Sequence, residues 1–171
     1  RGKTGKNIYK ILQKLKKKKF SKLGVSVYRK KELDFVIKNY KIDIVNLPIS
    51  VANQEFCQNN YLLKLKNKKI KIHARSIFLQ GLLLCSHSNL PSKFKNNRFF
   101  LEWFKWLKIN NYDPLDVSLR FIKDIKYVDK IVIGVDNFSQ LDNIVKSYKK
   151  NFKIKFKKFI QSQLLKNPST W

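Results

Sequence analysis

Ile8, Ile11, Leu12 and Leu15 recur at the i, i+3, i+4, i+7 spacing of one helical face, and lysines fill the positions between them. An amphipathic helix over residues 1–20 is therefore expected ahead of everything else. The period then drops to two in "SKLGVSV" (Ser21 to Val27), where Leu23, Val25 and Val27 alternate as in a short strand. Leu33, Val36, Ile37 and Tyr40 restore a helical stripe. "KIDIVNLPI" (Lys41 to Ile49) reads as a buried strand, and "QEFCQNNYLLKLKNKK" (Gln54 to Lys69) as helical segments interrupted near Asn59 and Asn60. A third strand opens "IKIHARSIFLQGLLL" (Ile70 to Leu84), which runs through His73, Arg75 and Ser76 into a glycine and three leucines.

After a loop through Pro91, "RFFLEWFKWL" (Arg98 to Leu107) carries aromatics at helical spacing, which reads as core packing rather than as a base-stacking platform. "DPLDVSLRFI" begins another helix, with Asp113 as N-cap and Pro114 at the first helical position. The fourth strand is "DKIVIGV" (Asp129 to Val135). Its helix is expected to be capped by Ser139 and to bury Leu141, Ile144, Val145 and Tyr148. The chain thus reads as one domain: a leading helix over 1–20, four strand-helix units over 21–149, and a tail over 150–171. Strands that alternate with helices and lack hairpin turns predict a parallel α/β architecture. Ligands of such folds lie beyond the carboxyl ends of the strands, so Arg75 and Ser76 read as functional polar residues at a strand's end.

Composition changes this picture little. The 171 residues are 43% hydrophobic, enough for a packed core, and the net charge is +27. Such a charge attracts polyanions, and a basic nucleic-acid-binding module is the rival reading. Only five of the 38 basic residues are Arg, however, and bidentate recognition of phosphate or guanine is mainly Arg chemistry. The lysines are spread over every helix rather than gathered on one face, which favours solvated surfaces, with no specific nucleic acid as partner. The tail segment "KKNFKIKFKKFIQSQLL" is basic and amphipathic, and is expected to pack on the body of the protein rather than on a membrane.

Candidate chemistry outside the strand ends is sparse. Cys57 and Cys85 fit no metal spacing and no disulfide framework, no apolar run approaches a membrane span, and no signal-peptide pattern is present. A cytoplasmic location is the expectation. "GKT" (Gly2 to Thr4) lacks the upstream glycine and strand of a phosphate-binding loop. His73 alternates with Ile72 and Ala74 as a sheet-filling residue would, and His87 stands alone. The chain opens on Arg1 and contains no Met, so its true beginning is expected to lie upstream.

"KLGVSVY", "DIVNLPIS", "IHARSIFLQGLLL" and "DKIVIGVDNFSQLDNI" together resemble the aldo/keto reductases, in the order and spacing of that family's fifth to eighth strands. The closing "NPSTW" (Asn167 to Trp171) resembles the tail of one bacterial branch. The resemblance implies a parallel (β/α)8 TIM-barrel type fold, here only the last four β/α units, a C-terminal fragment. It implies a nicotinamide cofactor, NADP or NAD, and a small carbonyl substrate. Ser26 and Asn46 match the residues that hold the nicotinamide carboxamide, which needs one donor and one acceptor. Arg75 falls where a planar side chain stacks on the nicotinamide ring. Ser76, Phe78, Gln80 and Gly81 match the loop around the pyrophosphate, and Asp136, Asn137 and Asn143 fall at the adenosine end.

Departures from the family pattern accompany the matches. Val27 replaces an amide residue, Asn46 is shorter than the usual Gln, and Asp136 stands near the place where a basic residue would favour NADP. The family's catalytic Asp, Tyr, Lys and His come from its first four strands. By this resemblance the chain carries no catalytic residue and would be inactive alone, either as half of an oxidoreductase or as a non-catalytic relic of the same fold.

Overall fold

The computed structural model describes residues 3–166, so the tail motif at Asn167 to Trp171 lies outside the described residues. Four strands, β1 (Gly24–Ser26), β2 (Ile44–Pro48), β3 (Lys71–Arg75) and β4 (Lys130–Ile131), form one parallel sheet in the order β1-β2-β3-β4. Helix α1 (Lys3–Lys19) precedes the sheet. Then α2 (Lys30–Asn39) joins β1 to β2, and α3 (Tyr61–Asn67) joins β2 to β3. Between β3 and β4 run the single turn α4 (Ser92–Lys95), α5 (Arg98–Asn110) and α6 (Pro114–Lys123), and α7 (Phe138–Lys149) follows β4.

Sequential strand order without a reversal keeps every crossover on the same side. Val45, Leu47, Ile72 and Ala74 alternate along β2 and β3 and are fully buried beneath Leu33 of α2, Leu62 and Leu65 of α3, Leu119 and Ile122 of α6, and Ile144 of α7. Parallel sheets are ordinarily covered on both faces. Here the helices cover one face, and the other carries Ser26, Asn46, His73 and Lys130, matched residue for residue across the four strands. A singly wound sheet with a polar inner face is the arrangement of a TIM-type barrel wall.

A second core is aromatic. Phe99, Phe100 and Trp103 of α5 are buried, and Trp103 Nε1 donates to the Leu83 carbonyl at 3.2 Å. Phe159 closes over them with its ring 5.6 Å from that of Trp103 and 5.4 Å from that of Trp106. The basic tail therefore packs on the body as expected. It is extended rather than helical up to a 3-10 turn at Gln163–Lys166, because its apolar side chains alternate and fill the aromatic cluster from one side.

Several local readings differ from the sequence pattern. The strand expected over Asp129–Val135 is confined to Lys130–Ile131, and that over Ser21–Val27 to Gly24–Ser26, because β1 and β4 each have a neighbour on one side only. Helix α7 is capped by Asn137, whose side chain accepts from the Gln140 N–H, and not by Ser139, which lies inside the first turn. On the stripe expected to be buried along α7 only Ile144 is buried, whereas Leu141, Val145 and Tyr148 are exposed.

Candidate functional site

The inner face of the sheet is built by register. Ser26 pairs with Asn46, Asn46 with His73 and His73 with Lys130, so these four side chains form one row on the face opposite the helices described above. Pro48 and Arg75 pair in the next row toward the carboxyl ends. In the first row Asn46 Oδ1 is buried and has no hydrogen-bond partner among the described residues. A buried, unmatched acceptor is costly and uncommon, and in a polar row it marks a place that a ligand donor would satisfy.

Arg75 ends β3 and ties the site together. Its Nε donates to Ser26 Oγ at 3.0 Å, Nη1 to Ser76 Oγ at 3.2 Å, and Nη2 to the Val27 carbonyl at 3.2 Å. The guanidinium carbon lies 4.3 Å from the ring centre of Tyr28. Three in-plane hydrogen bonds and a ring on one side fix the plane of the group. Tyr28 is itself held at the start of α2, since its N–H donates to Glu32 Oε2 at 2.9 Å.

Beyond Arg75 the chain turns through an unusual loop. Ser76, Leu79 and Gln80 adopt left-handed backbone at φ of 55°, 51° and 57°, and Gly81 follows at 84°. Three consecutive-neighbourhood non-glycine residues in that region store strain that buried anchors must hold, here Leu79 and Leu83 in the aromatic core. The loop's own hydrogen bonds use the N–H groups of Leu79, Leu82, Leu83, Leu84 and Cys85. The N–H groups of Phe78, Gln80 and Gly81 are not used in those bonds.

Arg75, Ser76, Phe78, Gln80 and Gly81 line an open groove of about 870 Å³ together with Asp136, just before α7, and Gln140 and Asn143 on α7. Seven of the ten residues singled out in the sequence thus meet in one groove. Ser26 adjoins it through Arg75, and Asn46 adjoins it through Ser26. Asn137 is committed to capping α7. The Asp136 N–H donates to Gln140 Oε1 at 2.9 Å, and Gln140 Nε2 donates back to Asp136 Oδ2 at 3.4 Å, so the carboxylate is aimed by Gln140.

Tyr28 and Gln140 were not among the expected residues. The signal for Tyr28 was present, since it lies two residues after Ser26 and an extended chain returns to the same side every second residue. Gln140 had no comparable signal, because its role depends on where α7 begins.

Basic residues dominate the surroundings of the inner row. Burial, with Lys130, Lys71 and Lys22 nearby, holds His73 below the ordinary imidazole value against the opposing pull of Asp129. His73 is therefore a neutral, sheet-filling residue at pH 7. Burial pushes the Cys57 thiol up to about 11, which removes it as a nucleophile. Among the described residues there is no group of three His, Cys, Asp or Glu side chains that could hold a metal ion, and no helix is long and apolar enough to cross a membrane.

Comparison with known proteins gives a consistent result. The aldo/keto reductase family model matches residues 4–163. Among solved structures, aldo-keto reductase AKR11C1 from Bacillus halodurans superposes in its apo form with a TM-score of 0.71 at 15% identity, over 90% of this chain and 54% of that one. Its holo form gives 0.67 at 16% identity, over 84% and 50%. A thermostable aldo-keto reductase, Tm1743, in complex with the inhibitor epalrestat gives 0.56 at 14% identity, over 84% and 48%. The chain spans about half the length of the solved structures it matches. No curated protein sequence matches it significantly.

Proposed function

The chain belongs to the aldo/keto reductase family, and from that premise we propose that it is the C-terminal, cofactor-binding half of a reductase barrel. In the intact parent, hydride passes between a nicotinamide cofactor, NADP or NAD, and a carbonyl or alcohol substrate. The cofactor supplies the hydride chemistry, and the residues of this chain bind and orient it. The observation that carries the reading is the buried, unpartnered Asn46 Oδ1 beside Ser26. A carboxamide offers one N–H donor and one carbonyl acceptor. Asn46 Oδ1 lacks a donor, and the Ser26 hydroxyl, although it accepts from Arg75, keeps its own proton to donate.

The remaining parts of a dinucleotide find matching chemistry along the groove. Phe78, Gln80 and Gly81 present N–H groups suited to the pyrophosphate, and the Gly81 surface is open, since a Cβ there would meet nothing within 4 Å. Asp136 and Asn143, which line the same groove, would take the adenosine end. A carboxylate repels a ribose 2′-phosphate and accepts from a free 2′-hydroxyl, so Asp136 favours NAD at least as much as NADP. The proton donor to the carbonyl would come from the other half of the barrel, and the isolated chain is expected to bind cofactor without turning over substrate. Cys57 and Cys85 are free thiols, which suits a reducing compartment such as the cytoplasm.

Calorimetric titration with NADH and NADPH at physiological salt tests the reading. One saturable site per chain is expected, with NADH bound at least as tightly as NADPH, and Asp136→Arg should shift the ratio toward NADPH by roughly tenfold. Absence of saturable binding of either dinucleotide overturns the proposal. A strong wild-type preference for NADPH, or an unchanged ratio in Asp136→Arg, removes Asp136 from the ribose site.

A further inference from the structure

The guanidinium of Arg75 has two faces and one edge. Three of its five N–H donors go to Ser26 Oγ, Ser76 Oγ and the Val27 carbonyl, at 3.0, 3.2 and 3.2 Å. Tyr28 is stacked against the group, 4.3 Å from ring centre to guanidinium carbon. That leaves one face, and Arg75 lines the open groove. We infer that Tyr28 is a positioning residue: by backing Arg75 it turns a flexible cation into a rigid, flat platform on which the nicotinamide ring stacks.

The physical grounds are independent of any ligand. An arginine free to rotate loses side-chain entropy when it becomes ordered against a ligand, and that loss is subtracted from affinity. Here the ordering is already complete. The backbone at Tyr28 is itself tied to α2, since Glu32 Oε2 accepts the Tyr28 N–H at 2.9 Å and the Arg29 N–H at 3.3 Å. The start of α2 is thus coupled to the plane of a residue at the end of β3, across the width of β2. Ring-on-guanidinium stacking also has a chemical consequence, because a cation sandwiched between π faces is shielded from water and its attraction to each face strengthens.

This inference rests on the dinucleotide reading of the groove, and a fragment that lacks the nicotinamide separates the two. ADP-ribose shares the pyrophosphate and adenosine with the dinucleotides but has no ring to stack. The probes are NADH and ADP-ribose, titrated calorimetrically into the wild type and into Tyr28→Leu, Tyr28→Phe and Arg75→Lys. Wild type should bind NADH more tightly than ADP-ribose. Tyr28→Leu should weaken NADH roughly tenfold, the value of a partly desolvated stacking contact, while ADP-ribose changes less than about twofold. Tyr28→Phe keeps the ring and should restore NADH affinity. Arg75→Lys keeps the charge without the plane and should behave as Tyr28→Leu does.

Unchanged NADH affinity in Tyr28→Leu overturns the platform, as does an equal loss for both probes, which would report general damage. A Tyr28→Leu chain that fails to fold leaves the decision to the other two variants: Tyr28→Phe falling short of wild type, or Arg75→Lys binding NADH as tightly as wild type, overturns it as well. A wild type that binds ADP-ribose and NADH equally well overturns the platform but spares the cofactor reading. Binding of neither probe overturns both.

Discussion

On the proposed reading, Asn46 serves cofactor binding at the expense of stability. Its Oδ1 is buried without a partner, and leaving such an acceptor unmatched costs about 1–3 kcal/mol. Asn46→Leu, of similar volume, should therefore raise the unfolding free energy of the ligand-free chain by about 1 kcal/mol in urea titration, while weakening NADH binding. A destabilised Asn46→Leu chain would mean that the side chain is satisfied in solution. His73, its neighbour in the row, carries a pH signature. Its folded-state pKa is depressed, first by burial and then by Lys130, so the unfolded chain binds its proton more readily. Stability from this group is intact above the unfolded value of about 6.5 and is lost as pH falls through the lower folded value. His73→Gln should flatten the decline in melting temperature between about pH 7 and pH 5; an unchanged profile would show that the imidazole is fully hydrated.

Between elements, two carboxylates repeat one device. Asp43, just before β2, accepts from the Leu23 N–H at 2.7 Å and pairs with Lys16 of α1 at 2.6 Å. Asp129, just before β4, accepts from the Ile72 N–H at 2.7 Å and pairs with Lys66 of α3 at 2.7 Å. Each joins a helix, the strand that follows it and the next strand of the sheet. Burial opposes ionisation of both, but the backbone N–H and the lysine outweigh it, so both carboxyls titrate below the usual range. Their contribution is present above the unfolded carboxyl value of about 3.9 and is lost as pH falls through the lower folded value. Asp129→Ala should cost about 2 kcal/mol at pH 7, chiefly by releasing a charged hydrogen bond to backbone, and the deficit should shrink toward pH 2. A deficit below about 0.5 kcal/mol would reduce the pair to an ordinary surface salt bridge.

The sequence pattern was legible at this scale wherever chemistry and geometry are local. Asp113 caps α6, accepting from the Leu115 and Asp116 N–H groups, with Pro114 in the first turn, and Asn59 and Asn60 take left-handed backbone where the helical pattern breaks. Strand lengths were not legible, because Val132 to Val135 have strand character but no partner on their outer side. The α7 cap was misplaced from Asn137 to Ser139 for a related reason. Both residue types cap, so local sequence does not decide between them. In the candidate site, Arg75 and Ser76 followed from the strand pattern, and Ser26, Asn46 and the loop residues only from the family resemblance, while Tyr28 and Gln140 required the three-dimensional meeting of separate units.

At the scale of the whole molecule, two apolar surfaces stand exposed among the described residues. Ile8 and Ile11 of α1 are more than half exposed, and Ile8 with Val25, Phe35 and Val36 borders an apolar groove of about 760 Å³. At the opposite edge Val132, Val135 and Phe138 are exposed. A sheet with two open edges and apolar flanks is prone to edge pairing. The isolated chain should self-associate at micromolar concentration in sedimentation experiments, and a monodisperse, cooperatively melting monomer would argue that these surfaces need no partner. The charge of +27 opposes both folding and association. Raising salt from about 20 to 200 mM should therefore increase the melting temperature of dilute protein and promote association together, since repulsion is screened within about 10 Å. A melting temperature that is flat or falls with salt would mean that attractive ion pairs dominate.

That same charge would bind any polyanion weakly, so affinity tests whether a dinucleotide binds but not where. Location does. Titrating NADH into uniformly 15N-labelled chain at physiological salt and following backbone and side-chain amide signals addresses the central claim most directly. The expected result is a saturable set of shifts confined to the Asn46 side-chain amide, the Phe78, Gln80 and Gly81 backbone amides, and the start of α7 from Asp136 to Gln140. Shifts scattered over lysine-rich helix surfaces, weakening steeply with salt and sparing Asn46 and Gly81, would contradict it.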